Sequence, residues 1–562
     1  MRALLARLLK TAAPNAKLNR LDSMPPIRSR AAEEGSFQIP LCGVPLILAL
    51  LYVCLFSGLG ALGLVGPDEP RYAAIARAMA GTHDWITPRL WGAPWFEKPV
   101  LYYWAAGIAM RVFGTSEFSA RLPSALAALL ATGAVTWTAL RSYGVSAAWF
   151  ALLMLPSSAA IIGFSRAASP DMLFAGLLAA AMAAASEMLQ KPRPGCAQRI
   201  AFGLFLGAAV LAKGPAAVIL AGGATLLWAA ISGNWRASLR FLHPLVIAAF
   251  CIAALPWYIL CALRNPDFLR IFLWQHNFER YLTPVFQHRQ PFWFYAPILA
   301  IASVPWIVMA ISLLFTKWDK SQRRNSPGIF FLCWALFPFL FFSLSQSKLP
   351  GYILPSVPAL FLLVGRAVER ALARNRYGFR VLTGMTGAMF VVTAFVFDKT
   401  FRETGNVFSV PGARVVFLLV LAGLGGLIAV GLSVGDKPVR AFVSLALLVA
   451  ALVVILDIEI LPAANPRVSA RRAANDSLRL NPSGNSVEVY ELARDWQYGM
   501  NYYFGRELPE WVPGTPLPEW LLTNERAAVE LRRLGDQIHQ VSRAGAPYAV
   551  LIHVSPAGGT AP

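Results

Sequence analysis

The residues able to do chemistry in this 562-residue chain lie in short polar motifs set between long apolar runs. In order they are Asp68-Glu69-Pro70-Arg71-Tyr72, His83-Asp84-Trp85, Phe96-Glu97-Lys98-Pro99, Ser169-Pro170-Asp171, Lys213, then His276, Glu279, His288 and Arg289, and finally Lys348 with Tyr352. Ionisable groups at membrane depth, or just outside it, are expensive to place and usually have a partner or a task. These come from segments far apart in sequence, and a single pocket would bring their carboxylates and cations together. Each also has a plainer reading. Asp68 before Glu69-Pro70 fits a helix N-cap with proline in the first turn, and Asp171 fits a cap opening an apolar helix. Glu97-Lys98 fits a local ion pair, Lys213 and Lys348 fit anchors that snorkel to an interface, and His276 and His288 fit surface histidines. No Walker, dinucleotide-binding, GxSxG or metal-ligand spacing occurs.

Membrane helices must position these motifs. Hydrophobic residues make up 57% of the chain and charged residues only 14%, against roughly 25% charged in soluble proteins. A surface so poor in charge has to be covered by lipid. The net charge is +21, from 50 Lys+Arg against 29 Asp+Glu. In a soluble protein that balance would raise nucleic-acid binding, but here the bases lie between apolar runs, so membrane lipids and no nucleic acid are the expected partners. Six cysteines occur, none beyond Cys333, so no disulfide staples the C-terminal part.

A spanning helix needs about 20 mainly apolar residues, and thirteen stretches qualify: 41–64, 119–140, 145–163, 171–189, 199–212, 215–232, 241–263, 292–316, 328–345, 351–370, 379–397, 413–434 and 439–461. Every second connection carries bases and almost no acid: Arg141; Lys191, Arg193 and Arg199; Arg236 and Arg240; Lys317, Lys320, Arg323 and Arg324; Arg370, Arg374, Arg376 and Arg380; Lys437 and Arg440. The positive-inside rule makes these cytoplasmic, together with the basic segment 1–40. Residues 65–118, 164–170, 264–291, 346–350, 398–412 and the last 100 then lie outside. This parity requires 199–232 to be a hairpin with Lys213-Gly214-Pro215 as its outer turn. Residues 100–115 are apolar but too short to span.

Two outer loops, 68–115 and 265–291, are expected to carry interfacial helices. In the first, Ala73, Ile75, Ala76 and Met79 face away from Arg71 and Arg77, the pattern of a helix lying at a membrane surface. From 462 onward turn signals appear, with strand patterns at 486–493, 519–523 and 547–554 and a helix pattern at 524–535. The expected organisation is a basic segment over 1–40, a mainly α transmembrane domain over 41–461, and a small α/β domain over 462–562.

The run "PDEPRYAAIARAMAGTHDW" followed by "FEKPVLYYW", and later "QHRQPFWFY" and "QSKLPGYILPSVPAL", resembles the bacterial 4-amino-4-deoxy-L-arabinose transferases that modify lipid A. These are similar in turn to a wider superfamily of polytopic glycosyltransferases that includes the protein O-mannosyltransferases. The resemblance covers roughly residues 40 to 370 and is weak in the C-terminal domain. It implies a GT-C fold of thirteen spans in the bacterial inner membrane, with a periplasmic α/β domain. It implies transfer of aminoarabinose from undecaprenyl phosphate to phosphate groups of lipid A at the periplasmic face, with resistance to polymyxin and cationic antimicrobial peptides as the result. Carried over by motif, Asp68 is the catalytic acidic residue and Lys98 of "FEKP" reaches the donor phosphate. Glu97 stands with them at the reacting centre. Arg71, Tyr72, Asp171, Lys348 and Tyr352 are the expected contacts to donor phosphate or sugar.

The charges suit such a reaction. Breaking a sugar–phosphate bond develops negative charge on the departing lipid phosphate and positive charge on the ring. Lys98, Arg71 and Lys348 are placed to stabilise the first as fixed cations, and Asp68 the second, or to hold the sugar's amino group. An acceptor phosphate monoester has its second pKa near 6, so it is already a nucleophile at neutral pH and needs no strong general base. No cofactor is required in this reading, although Asp68, Glu69, Glu97 and Asp171 leave a divalent metal open. An apolar groove beneath the site is expected to hold the polyprenyl tail. Two alternatives stand beside it: a related transferase moving a lipid-linked hexose to protein or another glycan, and a lipid flippase or transporter. Against the second, the polar groups gather at one face rather than at midplane between repeats.

Overall fold

The computed structural model describes residues 43–191, 193–279, 290–315, 326–404, 410–482, 485–533 and 538–554. The segment 1–40, His288, Arg289 and the bases between 317 and 324 lie outside the described residues. Among those described, nine helices are long and apolar enough to cross a membrane, from Glu117–Tyr143 to Pro438–Val468. Val145–Met154 and Ala159–Ser165 pass the same test as one span bent by 57°, where Pro156 interrupts the backbone ladder. Val44–Leu55 and Ala216–Ser232 are shorter apolar helices, and the stretch expected as a span at 292–316 is divided into Tyr295–Ala302, Ile307–Ile311 and a 3-10 turn at Ser312–Phe315. Each of the thirteen apolar stretches thus contains helix among its described residues, and the protein is a multi-pass membrane protein of mainly helical fold.

The two broken segments support one another. The Ala159 amide donates to Val304 O at 2.8 Å, and the buried Trp306 Nε1 donates to Ser157 Oγ at 3.0 Å. The Ala159 amide at one break and the Val304 carbonyl at the other are therefore satisfied by each other inside the protein, as hydrocarbon requires. The 199–232 stretch is a hairpin. Helix Cys196–Lys213 carries Lys213 up to Asp171 at the start of helix Pro170–Gln190. After the break at Gly214 (φ 87°) and Pro215, helix Ala216–Ser232 returns the chain. Arg240 then bonds the carbonyls of Met188 and Lys191 at the far end of Pro170–Gln190.

The final span runs seven residues beyond its expected end, to Val468, through a π-helical stretch at Leu456–Ile460. That stretch turns the buried Asp457 toward Ser57 Oγ (2.5 Å) and Arg166 Nη2 (3.3 Å), tying last span to first. Gly58 makes this possible. Its φ is +66°, and a Cβ there would collide with the Asp457 carboxyl. Gly58→Ala is expected to cost about 2 kcal/mol or more from backbone strain and overpacking together, read as a lowered thermal-unfolding midpoint in detergent. An unchanged midpoint would mean that this junction is not tight.

In the first loop, helices Asp68–Thr82 and Leu101–Phe113 pack on each other, and the second, at 13 residues, is too short to span. One expectation is corrected here. The Asp68–Thr82 helix does not show a polar face to water: Glu69, Arg71 and Tyr72 are buried along with Ala73, Ile75, Ala76 and Met79. Its polar side is covered by the C-terminal domain, which lays helix Arg494–Phe504 against it.

That domain is α/β, with strand order Val487–Tyr490, Trp520–Thr523, Ala549–Val554, Ile538–Gly545; the first pair is parallel and the other two are antiparallel. Helices Arg471–Leu480, Arg494–Phe504 and Glu525–Arg532 flank it. The strand at Ile538–Gly545 and the first two helices were not expected from sequence. Several bonds seat the domain on the bundle. Arg471 pairs with Glu117 at 3.3 Å. Tyr503 OH donates to Glu117 Oε1 at 2.8 Å and accepts from the Leu64 amide at 2.9 Å. Arg77 Nη1 donates to Tyr502 O at 2.9 Å.

Candidate active site

The first-loop motifs fold into a continuous chain of charge. Asp68 begins its helix as the first residue, but Pro67 is the capping position and makes no side-chain cap, so the N-cap reading of Asp68 fails. Its carboxylate instead pairs with Arg71 one turn on. Arg71 Nη1 reaches Glu97 Oε2 at 3.1 Å, and Glu97 Oε1 accepts from Lys98 Nζ at 3.1 Å. The two ends of this chain are its open members: the Asp68 side chain is 54% exposed and Lys98 16%, whereas Arg71 is 5% and Glu97 9%. Burial opposes the charge on Arg71, but the Glu97 and Asp68 carboxylates outweigh it and raise the guanidinium pKa, keeping it cationic.

A second group meets the first from the spans. Ser169 Oγ caps helix Pro170–Gln190, accepting from the Asp171 amide, which frees the Asp171 carboxylate to pair with Lys213. Lys213 Nζ also lies 4.9 Å from the Tyr352 ring centroid, a cation–π distance. Gly351 lets this loop come close, since a Cβ there would stand 3.4 Å from Asp171 Cγ and 3.2 Å from the Phe164 ring. The Ala168 amide, three residues before Asp171, donates to the carboxylate of Glu69, next to Asp68, at 2.6 Å, and so brings the two groups together. Asp68, Arg71, Glu97, Lys98, Asp171 and Tyr352, six residues singled out from sequence, therefore converge, and Lys213 belongs with them as a member rather than as a snorkelling anchor.

Two expectations need correction. Tyr72 is 3% exposed, with its ring 6.1 Å from those of both Tyr102 and Tyr103. Aromatic packing turns it inward, so it backs Arg71 instead of lining open space. Lys348 is 7% exposed, and its ammonium donates to Ser345 O at 2.6 Å and Gln290 O at 3.1 Å. These carbonyls take it away from the charge chain, and burial pushes its pKa down. A cavity of about 680 Å³ runs between helices Val44–Leu55, Glu117–Tyr143, Pro170–Gln190 and Cys196–Lys213, with Thr132, Trp137, Glu187 and Gln198 as the polar residues of its lining.

Glu69, adjacent to Asp68, does different work. It is 9% exposed and takes four hydrogen bonds: from Arg121 Nε (3.2 Å) and Nη2 (2.7 Å), and from the amides of Ala168 (2.6 Å) and Val65 (2.8 Å). Arg121 spends its remaining donors on the carbonyls of Leu59, Leu62 and Gly63. This knot sets the start of the Asp68–Thr82 helix. Asp84 is likewise structural, paired with Arg264 at 2.9 Å. Arg121 escaped sequence reading because it was counted as the edge of a span, although a lone arginine in "SARLPSALAALL" is the signal to follow. Among the described residues no three His, Cys, Asp or Glu side chains converge as metal ligands. Glu69 faces Arg121, Asp171 faces Lys213, and Asp68 and Glu97 share Arg71, so these four carboxylates do not form one donor set.

Comparison with known proteins bears on the family and the fold. A family described as dolichyl-phosphate-mannose-protein mannosyltransferase matches residues 42–272. The chain is 34% identical to an undecaprenyl phosphate-alpha-4-amino-4-deoxy-L-arabinose arabinosyl transferase of Edwardsiella ictaluri over 318 residues, 56% of this chain and 57% of that protein, so it spans little more than half of that relative. With the transferase of the same name from Pseudomonas aeruginosa it is 30% identical over 485 residues, 82% of this chain and 86% of that one. The crystal structure of ArnT from Cupriavidus metallidurans bound to undecaprenyl phosphate has the same fold, with a TM-score of 0.73 at 24% identity over 91% of this chain and 97% of that chain. Joined to the charged first loop and the helical bundle, the similarity to the Pseudomonas aeruginosa protein over 82% of this chain means that the chain belongs to the undecaprenyl phosphate-aminoarabinose arabinosyl transferase family.

Proposed function

We propose that the protein is a glycosyltransferase of the bacterial inner membrane that moves 4-amino-4-deoxy-L-arabinose from undecaprenyl phosphate to phosphate groups of lipid A at the periplasmic face, and so confers resistance to polymyxin. The observation that carries this is the run Asp68–Arg71–Glu97–Lys98, with the Asp171–Lys213 pair beside it, at one end of an apolar bundle. The alternation of basic connections supports a periplasmic position for that end.

In the reaction an oxygen of the acceptor phosphate attacks the anomeric carbon, forming one C–O bond as the bond from that carbon to the donor phosphate breaks. The electron pair leaves with undecaprenyl phosphate. The acceptor is already an anion, so no proton has to be removed from it. Lys98 and Lys213 face the departing phosphate as preorganised cations, and Asp68, the exposed end of the chain, faces the ring or its amino group. Arg71 and Glu97 hold these two apart at a fixed spacing. With its carboxylates committed to cations, the site works without a divalent ion in this reading, and EDTA is expected to leave the rate unchanged.

Lipid A mass spectra from cells with and without the gene, grown under inducing conditions, test the proposal. Aminoarabinose-bearing species are expected only where the gene is present, and identical spectra would end the reading. Product formation by the purified protein in detergent separates a transferase from a flippase, which makes no product without two compartments.

A further inference from the structure

The C-terminal domain does more than rest on the loop that carries Asp68. Its helix Arg494–Phe504 brings the Tyr498 ring to 5.8 Å from the Arg71 guanidinium carbon. Two more rings approach the same group, Trp95 at 5.3 Å and Tyr72 at 5.4 Å. Tyr72 belongs to the same helix as Arg71 and Trp95 to the same loop, so Tyr498 is the member contributed across the domain boundary. The guanidinium is held at its edges by Asp68 and Glu97 and framed by aromatic rings. The helix that supplies Tyr498 is itself fixed one turn further on, where Arg77 lies 4.5 Å from the Tyr502 ring and donates to the Tyr502 carbonyl. On Tyr498 a second cation, the exposed Arg494, lies 5.4 Å from the ring.

We propose that Tyr498 is a positioning residue of the transfer site: its ring confines the Arg71 guanidinium to the orientation that bridges Asp68 and Glu97, making the C-terminal domain a working wall of the site. This rests on the transferase reading above. A guanidinium has a planar fork that bonds two carboxylates only when its plane is fixed, and a ring across it removes the rotations that would break one of them. The other docking bonds, at Tyr502, Tyr503 and Arg471, hold the domain in place when Tyr498 is changed. The effect of Tyr498 on rate is therefore separable from the seating of the domain.

The test uses the full-length protein in detergent with polyprenyl-phosphate aminoarabinose and lipid A. Tyr498→Ala is expected to lower kcat about tenfold, the scale of one cation–π contact in a partly dry site, with the KM for the donor and the thermal midpoint little changed. Tyr498→Phe, which keeps the ring, is expected to stay within about twofold of wild type. Arg71→Ala and the double variant Arg71→Ala/Tyr498→Ala are expected to be equally slow, because the ring has nothing left to position. Wild-type kcat in Tyr498→Ala, failure of Tyr498→Phe to rescue, or losses that add in the double variant would each overturn the proposal. Absence of product from the wild-type protein would instead strike the transferase reading itself.

Discussion

Asp68→Asn is expected to leave a folded protein whose transfer rate is lower by at least about 100-fold, the cost of removing one preorganised charge from a developing transition state. The substitution keeps the volume and can still accept a hydrogen bond from Arg71, so it changes charge and little else. Asp68 is the exposed end of a run whose inner members are buried, and among the described residues its side chain is paired with Arg71 alone. Lys98→Ala is expected to do similar damage from the other end, by removing the cation that faces the leaving phosphate. Initial rates in detergent, read beside size-exclusion profiles, check both. Wild-type rates in the two variants would place the chemistry elsewhere. A loss confined to Lys98→Ala would leave Asp68 a surface partner of Arg71.

Much of this arrangement could be read from sequence, for reasons that differ by residue. The spans were legible because hydrocarbon leaves the backbone no choice but a helix, and parity of the basic connections requires the hairpin at 199–232. Arg240 returning to Met188 and Lys191 is the physical counterpart of that parity. The Asp68, Arg71 and Glu97-Lys98 motifs were legible because charged residues beside apolar runs need partners. Which partner each takes was not legible. Asp171 and Lys213 are 42 positions apart, and nothing in either motif names the other.

Side chains of one chemical type also divided in ways that composition hides. Lys213 meets a carboxylate, whereas Lys348 is spent on two carbonyls. Tyr352 lies beside a lysine, whereas Tyr72 is packed among tyrosines. The covering of the first-loop helix was illegible for a further reason. From sequence Ala73, Ile75, Ala76 and Met79 read as an apolar face with the other face in water, yet all four are buried along with Glu69, Arg71 and Tyr72. A tertiary contact more than 400 residues away, Arg77 with Tyr502, reversed that assignment. Arginines tolerate it because aromatic rings and carbonyls replace the lost water.

Glu69→Gln is the counterpart to the Asp68 change one residue away, and its expected outcome is of another kind. It leaves Arg121 as an uncompensated charge in a site where its side chain is 4% exposed, and breaking such a pair costs about 3–5 kcal/mol, a large fraction of a typical domain's stability. The variant is expected to give a thermal midpoint many degrees lower and poor yield, with activity lost through misfolding. Removing both charges, as in Glu69→Gln/Arg121→Met, is expected to recover only part of the loss. The carbonyls of Leu59, Leu62 and Gly63, and the amides of Val65 and Ala168, would have lost the charged groups that satisfied them. Thermal midpoints in one detergent, in the order wild type and Asp68→Asn together, then the double variant, then Glu69→Gln, are the expected result. A Glu69→Gln protein as stable as wild type but inactive would move Glu69 from the scaffold into the reaction, and the division of labour between these two neighbouring carboxylates would be wrong.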